Sequence, residues 1–389
     1  DLWVSIAYNN LYMDKHIKTK KGEISVKLLK RFLLTSFLFI LILSLAACLP
    51  AKETSANNED NHAETENTGT EEKLEDKLVI YSTHPEDMLE VIADGFTNKT
   101  GVKVDFINLK GELADRVRAE KDNPQADIMY GGASSLFITM SEDGIFESIE
   151  PTWFGALDDD FKDANGRWFG VMKTPVTLFY NSETLSEEEA PKSWADLADS
   201  KYKGKIVSRD YVSSSQRAAM VALLDYYSSK SSFEDGVNYL KTLDQNTKNY
   251  HGSGSLHFQD VGKGDAPISY GVLSAIIDNA NKNDMPLEVI DAEEGSVIIT
   301  DAIAAIKNAP HPNAAEAFVE YAGSEEVQIK LANEFNRMPT LDSAVTKCPE
   351  WMQIPLKSMK VDWKNVAENE LDWLNLWDTE IRDSGKDVK

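Results

Sequence analysis

The sequence predicts an α/β protein of two lobes, with parallel-rich sheets flanked by helices. From Lys77 onward, short apolar runs alternate with polar turns and helical stretches, the pattern of parallel strands joined by crossover helices. At 389 residues the chain also exceeds what one hydrophobic core usually organises. In sheets of this kind ligands sit beyond the carboxyl ends of the strands, and polar turns follow the strands here.

Before Lys77 the chain has a different character. Lys27, Lys30 and Arg31 form a basic flank, and Phe32 to Leu45 is an apolar run of the length of a signal h-region, too short for a spanning helix. Leu45-Ala46-Ala47-Cys48 resembles the lipobox of bacterial lipoproteins, which implies cleavage before Cys48, lipid on its sulfur and an extracytoplasmic protein anchored to the membrane. Lys21-Gly22-Glu23 can be encoded by a ribosome-binding sequence and Val26 by a GTG start, so the preceding residues are expected to be upstream sequence. Residues 48–76 then comprise the lipidated cysteine and a disordered tether, because Ala51 to Asp76 carries almost no large apolar residue and cannot bury enough surface to fold. The only other cysteine, Cys348, is expected to be structural, since nothing near it activates a thiol.

The folded part opens with the strand Leu78-Val79-Ile80-Tyr81, the turn Ser82-Thr83-His84 and a helix with Pro85 in its first turn and Met88, Leu89, Ile92 and Phe96 on one face. Val102 to Ile107 is a second strand, Glu112 to Glu120 a helix, and Ala126 to Tyr130 a third strand. Gly131-Gly132-Ala133-Ser134-Ser135 opens the next helix. Trp168 to Asn181 is an apolar strand pattern taken as the first crossing into the second lobe. There Ile206-Val207 leads through a polar turn into a helix with Ala218, Val221, Ala222 and Leu224 at helical spacing, and Ser213, Ser214 and Ser215 stand at its start. The turn Tyr250 to Ser255 and the strand Pro267 to Tyr270 follow. Ser296 to Ile306 is expected to return to the first lobe, and Trp363, Trp373 and Trp377 to form a packing face. The expected division is residues 1–47 as signal peptide, 77–175 with 300–340 as lobe 1, and 176–299 with 341–389 as lobe 2.

Several of these blocks carry a resemblance. Leu78 to Ser82, Phe96 to Val104, Gly111-Glu112-Leu113, Asn123 to Ile128 and Tyr202 to Ile206 resemble, in order, the extracellular solute-binding proteins of bacterial ABC importers, in the subgroup of ferric-ion, hexose-phosphate and aminoethylphosphonate binders. The resemblance implies the type II periplasmic-binding-protein fold, closure of two lobes on a solute, and delivery to a membrane permease. Ferric binders of the family use a histidine after the first strand, a glutamate after the third and adjacent tyrosines in the second lobe. Here His84 matches the first, but Gly131-Gly132-Ala133 and Tyr270-Gly271 stand at the others, so iron coordination by that set is not expected. Tyr81 to Pro85 resembles the first-strand turn of the hexose-phosphate binders, and Ser213-Ser214-Ser215 resembles their serine run, which implies a phosphate contact at the serines; the acidic residue by which those binders read the sugar hydroxyls has no counterpart near Gly271.

The expected function is capture of a small phosphorylated or phosphonate solute, by a monomer that needs no cofactor or metal. The alternatives are a ferric-iron-binding transport protein and the ligand-binding sensor subunit of a two-component system. Expected ligand contacts are Ser82, Thr83, His84, Ser134, Ser135, Arg209, Ser213, Ser214, Ser215, Ser253, Ser255, His257 and Tyr270. A helix start carries unpaired N–H groups and partial positive charge, and hydroxyls add donors. The competing reading of the serines is ordinary N-capping. Glu86 and Asp87 oppose an anion at the first helix, and Arg209 has a competing surface pairing with Asp210. A net charge of −25 argues against a nucleic-acid partner. No Gly-x-Ser-x-Gly surrounds any serine, and Gly252-Ser253-Gly254 does not meet that spacing, so an esterase-like enzyme is not expected.

Overall fold

The computed structural model describes residues 73–384. The signal segment, Cys48 and most of the tether lie outside them. The last tether residues are packed: Leu74 lies against the cluster that includes Ile80, Phe96 and Phe318, and the Glu75 carboxylate accepts from Ala314 N at 2.8 Å.

In chain order the elements are β1 (Lys77–Ser82), α1 (Glu86–Thr100), β2 (Lys103–Asn108), α2 (Leu113–Ala119), β3 (Ile128–Ala133), α3 (Ser134–Glu142), β4 (Phe169–Asn181), β5 (Ile206–Arg209), α4 (Ser214–Lys230) and α5 (Phe233–Asn246). They continue with β6 (Thr247–His251), α6 (Gly254–Gly262), β7 (Ile268–Val272), α7 (Leu273–Lys282), β8 (Leu287–Ile290), β9 (Val297–Ala305), α8 (Pro312–Ala322), α9 (Glu325–Phe335), β10 (Met338–Pro339), α10 (Asp342–Val345) and α11 (Trp363–Leu376).

The sheet order is β2-β1-β3-β9-β4-β7-β5-β6, with β8 and β10 also pairing with β4. β1 is parallel to β2 and β3, and β5 is parallel to β6 and β7. The crossing strands β4 and β9 are antiparallel to each other and to β7 and β3. They bind the parallel sets of both lobes into one ten-stranded sheet.

Strand alternation sorts the side chains into cores. In lobe 1, Ile80, Tyr130 and Ile303 join Phe96 and Phe318 on one face, while Tyr81, Met129 and Ala302 join Phe137 and Met140 on the other. In lobe 2, Leu178 and Tyr180 face Trp194, Leu223 and Leu240, while Phe179 faces Val207, Phe258 and Ile276. Trp373 and Trp377 are buried in the lobe 2 core, as a packing face should be. Cys348 is buried too, and its thiol donates to Ala344 O at 3.1 Å.

The C-terminal passage to lobe 2 lies beyond the expected residue 341. Leu341 and Ala344 pack with the lobe 1 cluster, and Cys348 and Met352 pack with Ala332 and Met338. The lobe 2 core takes the chain up again at Met359. The left-handed Asn336 ends α9, and Met338 then pairs with Lys173 of β4, which holds the chain on lobe 1 for another turn.

The registers fix which way the turns point. β4 enters lobe 2 near Val176 and ends at Asn181; Val176 pairs with Val272 and Tyr180 with Ile268. The carboxyl end of β7 therefore lies at the crossing, as do those of its parallel neighbours. β9 enters lobe 1 with Asp301 opposite Ala133 and ends with Ala305 opposite Ile128, so the carboxyl ends of β3 and β1 lie at the crossing too. Both sets of turns face one another across β4 and β9.

Candidate functional site

Three lobe 2 helices start at the crossing, and none is closed by its own side chains. α4, α6 and α7 begin at Ser213, Ser253 and Val272; no side chain caps them, and no acid stands in their first turns. α3 in lobe 1 begins the same way at Ala133. Three helices elsewhere differ. Ser232 caps α5, Ser324 caps α9 and Asp362 caps α11, each through its own side chain.

The three lobe 2 starts surround a cavity of about 280 Å³ lined by Arg209, Ser215, Gln216, Ser255 and His257, with Gly271 and Val272 at the end of β7. Among the described residues no carboxylate lines it. Arg209 is free for a ligand because Asp210 is held elsewhere, at 2.8 Å from Arg382. The expected alternative of an Arg209–Asp210 surface pair is therefore not formed. The buried Nε of Arg209 has no partner.

The serine run divides. Ser215 lines the cavity, Ser214 is exposed, and Ser213 stands beside Ser215 with their hydroxyls 3.2 Å apart. At the next helix Ser253 and Ser255 are both exposed, and Ser255 also lines the cavity. Gln216, which sequence reasoning missed, is buried with its amide donating to Ser208 Oγ at 2.8 Å.

His257 is buried and holds one tautomer. Ser269 Oγ donates to Val207 O, so it accepts from His257 Nε2, which leaves Nδ1 a bare acceptor without a partner. Burial pushes its pKa down to about 3, with smaller contributions from His251 and Arg209, so the ring is neutral. Tyr270 is a correction. It packs edge-on against Trp194 with centroids 5.4 Å apart, inside the lobe 2 core. Its neighbours Gly271 and Val272 line the cavity instead, because adjacent strand residues face opposite sides.

In lobe 1 the Ser82 hydroxyl is buried and spent on the turn, accepting from His84 N at 3.0 Å. Thr83 is half-buried, its N–H reaching Tyr130 O at 3.4 Å. Ser134 is buried at the start of α3 and Ser135 is half-buried. His84 is 5% exposed, stacks edge-on with Tyr130 at 4.8 Å, and has no partner for Nε2. Burial lowers its pKa to about 4, with Asp301 acting upward and Arg337 downward. Asp301 and Arg337 also act on the Tyr130 hydroxyl, whose pKa burial raises. Sequence reasoning missed Tyr130, Asp301 and Arg337 as site candidates. Asp301 carried a readable signal, being an acid inside the apolar run of β9.

A larger groove of about 760 Å³ lies against α4, α5 and α11 and is lined by Asp225, Asp372 and Glu380 without a cation. Its charge opposes an anion, so chemistry favours the smaller cavity. Tyr227, next to Tyr226 in α4, packs against Tyr239 and donates to Glu294 Oε1 at 2.8 Å, away from that cavity. Among the described residues no helix is long and apolar enough to cross a membrane.

Residues 123–367 match the family of bacterial extracellular solute-binding proteins. The chain belongs to that family. It is the substrate-binding protein of an ABC importer, whose members bind small solutes, pair with membrane permease subunits and are not enzymes. This solute-binding protein is 28% identical over 321 residues to a probable ABC transporter periplasmic-binding protein of Sinorhizobium fredii, covering 79% of this chain and 87% of that one. It is 24% identical to an Fe(3+)-binding periplasmic protein of Serratia marcescens, over 64% of this chain and 75% of that one. Among solved structures it resembles the periplasmic binding protein AfuA of Actinobacillus pleuropneumoniae with fructose-6-phosphate bound. The TM-score is 0.60 at 26% identity, covering 79% of this chain and 98% of that one. The type II fold expected from the sequence is the fold of these relatives.

Proposed function

We propose that this solute-binding protein captures a small phosphorylated or phosphonate solute between its lobes and releases it to a permease. One observation carries the reading: three helix starts, uncapped and without acids, meet around a cavity whose only charged lining residue is Arg209. A protein of net charge −25 that gathers N–H groups, hydroxyls and one guanidinium at a single point has built a local anion site. The relative with fructose-6-phosphate bound and the putative 2-aminoethylphosphonate-binding relatives support the same class.

Ser215, Arg209 and Ser255 are the proposed lobe 2 contacts to the phosphoryl group, and the bare Nδ1 of His257, which can only accept, is the proposed contact to a hydroxyl of the solute. Thr83, His84, Ser134 and Ser135 face them from lobe 1, with Ser213, Ser214 and Ser253 at the rim and Ser82 bracing its turn. The proposed lobes are 77–175 with 300–354, and 176–299 with 359–384. A monomer held to the membrane by lipid on Cys48 completes the proposal.

Thermal shift with glucose 6-phosphate, glycerol 3-phosphate, 2-aminoethylphosphonate, inorganic phosphate and ferric citrate tests it. A ligand at a hundredfold its dissociation constant adds about 2.7 kcal/mol of stability. A melt shifted by ferric citrate alone would overturn the phosphoryl reading.

A further inference from the structure

The segment that follows α11 reaches back to the strand end that carries Arg209. α11 stops at Leu376, and Trp377–Ile381 form a single π-helical turn, closed by Arg382 N donating to Trp377 O at 2.9 Å. A π turn carries one more residue than an α turn, so it changes which way the side chains beyond it point, and it frequently marks a functional site. Here it grips β5, β6 and the turn before α4. Trp377 packs edge-on against Tyr250 with centroids 5.9 Å apart, and both line a small cavity with Arg209. Asp378 accepts from the Tyr211 hydroxyl at 2.7 Å. Arg382 pairs with Asp210 at 2.8 Å and lies over the Tyr250 ring, 5.2 Å from its centroid.

Asp210 is the residue that makes this contact matter. It is the only acid between Ile206 and Gln216, and it directly follows the one charged residue lining the lobe 2 cavity. Its carboxylate is held in place, with Oδ1 accepting from Val212 N at 3.1 Å, and its side chain is only 17% exposed, so water screens it weakly. Left without a cation, a carboxylate there has two effects on an arriving anion. It repels the anion directly, and it competes for the Arg209 guanidinium. The pairing with Arg382 removes both, and Arg382 itself does not line the cavity.

We infer that Arg382 is a positioning residue for solute binding: from outside the cavity it neutralises Asp210 and so leaves Arg209 to the solute. This rests on the anion reading of the lobe 2 cavity. The C-terminal π turn thereby belongs to the binding machinery, although it acts only through the turn it holds.

The test is calorimetric titration with glucose 6-phosphate, 2-aminoethylphosphonate and inorganic phosphate. The proteins are wild type, Arg382→Gln, Asp210→Asn and the double variant Arg382→Gln with Asp210→Asn, each also melted without ligand. Arg382→Gln should weaken every probe that wild type binds by about three- to thirtyfold, because the bare acid opposes each anion alike. Removing the acid as well should bring the double variant back to within about threefold of wild type. That recovery separates charge from bracing. The double variant lacks the ion pair just as the single one does, so a turn that merely needed the bond would bind weakly in both. Wild-type affinity in Arg382→Gln, or a double variant as weak as Arg382→Gln, would overturn the inference. If Arg382→Gln fails to fold, Asp210→Asn decides: it keeps the acceptor for Val212 N and should bind no more weakly than wild type, and weaker binding would overturn the inference. If wild type binds none of the three probes, it is the anion reading of lobe 2 that has failed, and the role of Arg382 falls with it.

Discussion

Replacing Arg209 by glutamine isolates the charge at the proposed anion site. Arg209 is the only charged residue lining the lobe 2 cavity, and its buried Nε has no partner in the protein. Two unit charges about 4 Å apart at an effective dielectric near 20 attract by about 4 kcal/mol, and desolvation of both groups takes back part of that. The net worth of a hydrogen bond to a charged group is about 1.5 to 3 kcal/mol. Affinity for glucose 6-phosphate or another phosphoryl ligand should therefore fall roughly 10- to 150-fold. The unliganded fold should be no less stable, because no internal ion pair of Arg209 is lost; Asp210 keeps its bond to Arg382. Titration calorimetry reads the first quantity and unliganded thermal melting the second. Arg217→Gln serves as control, since Arg217 pairs with Glu370 instead of lining the cavity. An Arg209→Gln protein that binds within twofold of wild type, or that loses stability in step with affinity, would refute the assignment.

The serine run should behave unequally: Ser215→Ala should weaken phosphoryl binding by about 0.5 to 1.5 kcal/mol while Ser214→Ala leaves it unchanged, read by the same calorimetry. Ser213→Asp should place a capping carboxylate at the open start of α4, raising unliganded stability by about 0.5 to 1 kcal/mol and weakening anion binding, so that melting and affinity move in opposite directions. His84 and His257, lowered to about 4 and about 3, are neutral when folded and protonate on unfolding below about 6.5. Stability is thus fully present above that pH and lost as pH falls toward the folded values, at about 1.4 kcal/mol per pH unit for each ring. Urea midpoints at pH 7, 6 and 5 should show the decline, and His84→Gln with His257→Gln should flatten it. Gly131→Ala should cost about 2 kcal/mol in unliganded melts, since Gly131 has φ 97° and an added Cβ would strike Thr83 Oγ1 and His84 Nε2.

The elements around the proposed lobe 2 site were legible because their signals are local. A short apolar run, a small-residue turn and a helical repeat around Ser213 to Ser215 define strand, turn and helix start without reference to distant residues. Tyr270 was misplaced although alternation was there to read. Ile268 and Tyr270 share the core face of β7, and Gly271 has the other. The lobe 1 cluster was illegible as a cluster for a different reason. Tyr130, Asp301 and Arg337 are separated along the chain by whole elements, and only the order β3-β9-β4-β10 brings them to one end of one face. Arg337 gave no local hint, since an arginine between a left-handed Asn336 and Met338 looks like an exposed turn residue. The C-terminal passage between lobes was misjudged because β10 pairs over only Met338 and Pro339, too short a strand to announce itself.

Capping shows how the fold separates stability from binding. A side-chain cap is worth about 1 kcal/mol, and this chain supplies caps at four helices that start away from the cleft, through Ser232, Ser324, Asp362 and Glu75 reaching across to the start of α8, whereas α1 at the end of β1 is uncapped and carries Glu86 and Asp87. It withholds them from α3, α4, α6 and α7, where residues as unsuited to capping as Ala133 and Val272 occupy the position, and it keeps acids from the same first turns. The contrast is not one of composition, since serine stands at both kinds of start; Ser213 and Ser253 simply do not turn back onto their helices. A few kcal/mol of unmade capping thus collects at the crossing of β4 and β9. On the proposed reading an anion makes bonds to the starts of α4, α6 and α7 in lobe 2 and of α3 in lobe 1, which ties the energy of closure to the presence of cargo.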